Sequence, residues 1–178
     1  MPLTLIKEDG TGRIDANSYA SVADGDAYHA GHLYATAWTG TTGDSKAAAL
    51  VMAARVIDAE FQFSGVKASV AQALQWPRSD CCDPDAVGAS GRPGMVGNNL
   101  VPKNVVDATC ELARELLVQD RTAAPPGEGL LSDWTSTAGR KYSKTDVRPI
   151  LPRLVQSLLA KYGAGTRLGF GMVRLLRA

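Results

Sequence analysis

Hydrophobic and polar positions along this chain follow mostly a helical step. Between Asp44 and Phe63, Leu50, Val51, Ala54, Ile57, Asp58 and Phe61 recur at intervals of three and four, the spacing of one helix face. Asp44 and Ser45 offer side-chain oxygens to the free amides of a first turn, and the run of alanines raises helix propensity. Burial of Leu50, Val51, Ile57 and Phe61 contributes roughly 1.5–3 kcal/mol each, which makes this face a core anchor. Ser64-Gly65 ends the run. Ser69 then caps a short helix over Val70 to Gln75, and Pro77 pushes Trp76 out of helical geometry. Trp76, Pro77 and Arg78 read as a structural motif that fixes the packing, with Arg78 bridging to an acidic group.

The same pattern predicts other helices. Ser21-Val22-Ala23-Asp24 is a capping box that opens a helix to His29. Pro102 starts a long helix to Asp120, with Val105, Val106, Thr109, Leu112, Ala113, Leu116 and Leu117 on its apolar stripe. Asp107, Glu111, Arg114 and Glu115 are expected to face water. A third principal helix covers Leu151–Tyr162 and stops at Gly163-Ala164-Gly165. Leu3 to Lys7 and Lys141 to Val147 read as strands or extended pieces, and Ser79 to Val101 as a long loop. The fold class expected is therefore mainly α, a helical bundle with long loops, short extended segments and an extended C-terminal arm. Its divisions are a bundle core over 1–121 with the 79–101 excursion, a Pro/Gly/Ser-rich connector over 122–150, and a C-terminal helix and docking tail over 151–178.

Charge changes this picture. The overall balance is +1, from 19 basic and 18 acidic residues, but residues 1–139 carry a net −7 and residues 140–178 a net +8. A basic end on an acidic body is expected to meet something negative: nucleic acid, an acidic partner, or the acidic body of an identical neighbour. The tail from Thr166 also holds Leu168, Phe170, Met172, Val173, Leu175 and Leu176. Six apolar residues there suggest docking on a partner or folding back on the core.

Candidate chemistry adds little. His29 and His32 have a metal-compatible spacing, but no further ligand set supports them nearby. Asp9, Asp15 and Asn17 do not match a calcium loop, and Cys81-Cys82 lacks a second cysteine pair. Glu111 and Glu115 lie one turn apart and read as a solvated face. No nucleophile elbow, P-loop or zinc-protease signature is present, so no enzyme, metal or cofactor is expected. Three cysteines, the absence of a long apolar run and an N-terminus unlike a signal peptide suggest a reducing cytoplasm without a membrane partner.

Several motifs recur in a familiar order: Glu8-Asp9-Gly10-Thr11-Gly12, Asp15-Ala16-Asn17-Ser18-Tyr19, Ile57-Asp58, Gly65, Gln75-Trp76-Pro77-Arg78, and Pro102 ahead of Glu111-Leu112-Ala113. On these, residues 5–120 resemble the DnaT-like single-stranded-DNA-binding proteins of tailed phages and prophages, and also the phage head–tail adaptor (connector) proteins. The resemblance implies a helical subunit in a virion neck, made in the host cytoplasm and assembled with identical neighbours into a twelve-fold ring. Its partners would be the portal protein, a tail-side neck or terminator protein, and phage DNA passing through the lumen. Arg167, Phe170, Met172, Val173, Arg174, Leu175 and Arg177 would then be the portal-docking contacts. The alternative is a sequence-independent binder of single-stranded DNA. Such binders pair a basic groove with stacking aromatics, and the basic third offers Tyr142, Tyr162 and Phe170.

Overall fold

A computed structural model describes residues 3–87, 93–123, 132–135, 138–141 and 148–166. Helix α1 (Val22–Ala30) starts on the predicted capping box: Asp24 N–H donates to Ser21 Oγ, and Ser21 N–H to Asp24 Oδ2. A single turn, α2 (Thr36–Thr39), follows and places Trp38 in the core. Helix α3 (Gly43–Glu60) is capped by Thr42, not by Asp44 or Ser45; the Thr42 hydroxyl receives the Ser45 amide. Its inner face buries Leu50, Val51, Ala53, Ala54 and Ile57.

Helix α4 (Lys103–Val118) is the hub, in contact with all of α1, α2, α3 and α5 (Arg153–Leu159). Val105, Ala108, Thr109, Leu112 and Ala113 are buried on it, as the apolar stripe predicts, and Pro102 sits one position outside as the N-cap. A 3-10 turn, Ala160–Tyr162, extends α5 and buries Tyr162.

A helical bundle is not what forms. The described residues carry four separate two-stranded antiparallel sheets between and beyond the helices. Helix α3 stops at Glu60 because Phe61-Gln62-Phe63 changes to a buried–exposed–buried alternation, the period of a strand. That strand, β1 (Phe61–Phe63), pairs with β8 (Gly163–Gly165), where glycines were expected only to stop a helix. Strand β2 (Val66–Lys67) pairs with β3 (Arg78–Ser79). The segment expected as a bare loop holds a hairpin of β4 (Cys82–Val87) and β5 (Pro93–Met95). A further hairpin, β6 (Ser132–Thr135) with β7 (Ala138–Lys141), lies within the Pro/Gly/Ser-rich connector. The fold is thus a mixture of helices and small sheets, and the mainly α expectation is corrected.

The short helix expected over Val70–Gln75 is also absent. The buried Gln72 side chain takes the backbone partners that a helix would use: it receives the Ser69 amide and donates to the carbonyls of Leu74 and Pro77. At the N-terminus, Leu3 to Lys7 forms no regular strand. One parallel bridge, Lys7 to Ser18, and the Asn17 side chain between Ile6 N–H and Thr4 C=O hold it in place.

Candidate nucleic-acid interface

The Trp-Pro-Arg motif lies in the core. Trp76 is fully buried, joined to Pro77 by a cis peptide bond, and meets Phe63 and Tyr162 edge-on at 5.5 and 5.6 Å. Arg78 is 7% exposed and reaches no carboxylate among the described residues. Its guanidinium donates instead to the carbonyls of Ser64 (2.7 Å), Gly65 (2.7 Å), Phe63 (3.2 Å) and Gln75 (3.1 Å), and to Gln75 Oε1. The expected acidic partner is therefore replaced by a cage of main-chain oxygens that ties β1, the following turn and Gln75 together.

Beside this cage, the Tyr19 hydroxyl donates to Asp58 Oδ1, and the Gln75 amide reaches both Tyr19 Oη and Asp58 Oδ2. Burial pushes the Asp58 carboxyl up to about 6, against the opposing pull of these hydrogen bonds and of Lys67 and Arg78. Burial and the Asp58 charge together raise the Tyr19 phenol well above its ordinary value. The arrangement is structural: it pins the loop before Trp76 to α3.

The Glu8–Tyr19 motif could have been a phosphate cradle. Gly10 and Gly12 take φ of +100° and +74°, so that successive amides of Gly10, Gly12 and Arg13 converge, as in backbone anion nests. The anion is supplied from within. Glu8 is 1% exposed, and its Oε1 accepts from Gly10 and Gly12 (2.9 Å each) while Oε2 accepts from Arg13 (2.8 Å). A nucleic-acid phosphate has no room there.

Glu111 also departs from expectation. It is buried, not solvated, with Oε1 on Arg114 Nη2 at 2.6 Å and Oε2 3.7 Å from His32 Nε2. His29 is buried too, with Nε2 on the Cys110 carbonyl at 3.1 Å. Among the described residues no group of three His, Cys, Asp or Glu side chains has the geometry to hold a metal. Cys110 is buried, and this pushes its thiol up to about 12, far from a reactive thiolate.

What remains is the distribution of cations. On the acidic body, Lys7, Arg13, Lys46 and Lys103 are each paired, with Asp24, Asp15, Asp26 and Asp107. Lys161 is spent on Asp83 and Asp85, at 3.6 and 2.8 Å. By contrast Arg55, Lys67, Arg148 and Arg153 are exposed and form no salt bridge among the described residues. The β6–β7 hairpin adds two cationic positions and an aromatic one: its register sets Asp133 opposite Arg140, Trp134 opposite Gly139, and Ser132 opposite Lys141. Of the basic third's other aromatics, Tyr162 is buried against Trp76, while Tyr142 and Phe170 lie outside the described residues. So do Arg167, Met172, Val173, Arg174, Leu175 and Arg177, the remaining tail contacts expected from the sequence.

A family model described as "Putative DnaT-like ssDNA binding protein" matches residues 3–177. The chain belongs to that family. No curated protein matches it, and no solved structure does. The family match extends well beyond the 5–120 region that carries the sequence resemblance, through the basic third. It also corrects the primary reading. The description names single-stranded DNA, and nothing found points to a head–tail adaptor, so the connector and its dodecameric ring lose their support.

Proposed function

We propose that this protein binds single-stranded DNA without sequence preference, through the cationic surface of residues 140–178. Membership of a family described by that activity carries the reading. The charge distribution supports the choice of surface. On the acidic body Lys7, Arg13, Lys46 and Lys103 are already neutralised by neighbouring carboxylates, whereas Arg148 and Arg153, in the basic third, form no salt bridge among the described residues. A polyanion gains most where a positive side chain has no internal partner to abandon.

Base stacking contributes less than in a groove lined with aromatics, because Tyr162 is committed to the core. Affinity then comes mainly from phosphates and the released counterions, which gives little discrimination among bases. The described residues contain no recognition helix seated beside a basic cluster, so base-edge reading has no evident device.

Competition by fluorescence anisotropy tests this. A labelled oligothymidine of about 16 nucleotides, long enough to fill a single-strand site, is displaced by unlabelled mixed-sequence single strands and by a duplex. The proposal expects single strands of unrelated sequence to compete equally and the duplex less well. A preference for one sequence, or for the duplex, would overturn it.

A further inference from the structure

One flank of α3, at the edge of its buried face, borders a groove. With the neighbouring segments it forms an open groove of about 610 Å³, lined mainly by Leu3, Ala48, Met52, Val56, Ala59 and Ile150, with Arg55, Glu60 and Thr122 as its polar members. Leu3 and Met52 are 46% and 36% exposed there, so the groove is mostly apolar and open. Two observations indicate what covers it. The described chain ends at Thr166, whose amide donates to the Glu60 carbonyl at 2.9 Å and whose hydroxyl reaches the Ala59 carbonyl at 3.4 Å. Ala59 and Glu60 are themselves groove residues, so the chain arrives at the rim with twelve residues still to place, 167–178. Six of those are apolar.

We infer that the C-terminal segment, residues 167–178, docks in the groove of its own subunit, running back along α3 toward Ala48. The lengths agree. Ala48 to Glu60 spans about 18 Å of helix, and twelve residues reach up to roughly 40 Å when extended. Docking in cis is favoured over docking on a second copy because the segment starts at the rim, where its effective concentration is of millimolar order. Leu168, Phe170, Met172, Val173, Leu175 and Leu176 supply the apolar cover. The inference does not depend on DNA binding.

Limited trypsin digestion of the full chain, followed by mass spectrometry, tests it at Arg167 and Arg174. Met52→Glu places a charge in the groove at an exposed position, and the pair Leu175→Asp/Leu176→Asp removes the cover while leaving the groove intact. Circular dichroism confirms that each variant is folded. Both variants are expected to be cut about tenfold faster than the unaltered chain, as local opening becomes easier. Light scattering should show monomers, with protection unchanged on dilution. Cleavage of the unaltered chain as fast as of both variants would overturn the inference. So would protection that is lost on dilution together with a dimer mass, which would assign the groove to a second copy's tail.

Discussion

Replacing Arg78 by methionine would keep much of its volume but leave the carbonyls of Phe63, Ser64, Gly65 and Gln75 without their shared donor. Orphaned buried acceptors cost about 1–3 kcal/mol each where water cannot reach them, so a loss of about 3 kcal/mol or more is expected in urea unfolding. Arg78→Lys should recover only part, since an ammonium cannot serve the same fork of acceptors. Asp58 gives a pH signature. Its folded pKa is raised to about 6 from an ordinary 3.8, so the fold binds this proton more tightly than the unfolded chain does. Stability from this group is therefore fully present below about pH 4, falls as pH rises toward 6, and is level above that. Asp58→Asn should flatten the window; unfolding at pH 4 and pH 7 for both proteins measures it, and an unchanged difference would refute the assignment. The Trp-Pro-Arg motif was legible as structure because proline and tryptophan constrain the chain so strongly. Arg78's partners were not, because a sequence shows the donor but not which carbonyls the turns will bring to it.

Helices were the legible elements. The apolar steps on α3 and α4 extend over several turns, so their period stands out against local noise. Strands of two or three residues have no period to detect, and β1 finds its partner β8 a hundred residues away. The Phe61-Gln62-Phe63 alternation was absorbed into the preceding helix because Phe61 also fits the three-and-four step. Glu111 shows the converse error: a carboxylate on a helix reads as solvated until Arg114 and His32 are found closing over it. Gly25 supplies the element-scale test. A Cβ added there would stand 2.3 Å from Trp38 Cζ2, so α1 lies against the indole because residue 25 has no side chain. In an exposed helix Gly→Ala gains about 1 kcal/mol. Here Gly25→Ala should instead lower stability by about 1–3 kcal/mol through overpacking, with a reduced melting temperature as the readout. A rise in melting temperature would show that Trp38 moves aside freely.

At the scale of the molecule, the partition of charge was plain in the sequence, but its use was not. Only the structure shows that Lys7, Arg13, Lys46 and Lys103 are paired on the body while Arg148 and Arg153 are not, and only the family match moves the reading of an acidic body with a basic end from a connector to single-stranded-DNA binding. The motifs that carried both the phage-neck and the DnaT-like resemblance include a self-filled carboxylate nest and a tryptophan corner, whose Glu8 and Trp76 are buried within this chain. The most direct test is the affinity for a single-stranded oligonucleotide measured by anisotropy across a salt series. If about four phosphates are neutralised, log Kobs should fall with log salt at a slope of about −3. Arg148→Glu/Arg153→Glu should weaken binding and reduce that slope by about 1.4, since each lost contact is worth roughly 0.7. No binding at low salt, or binding whose slope the double variant leaves unchanged, would contradict the account.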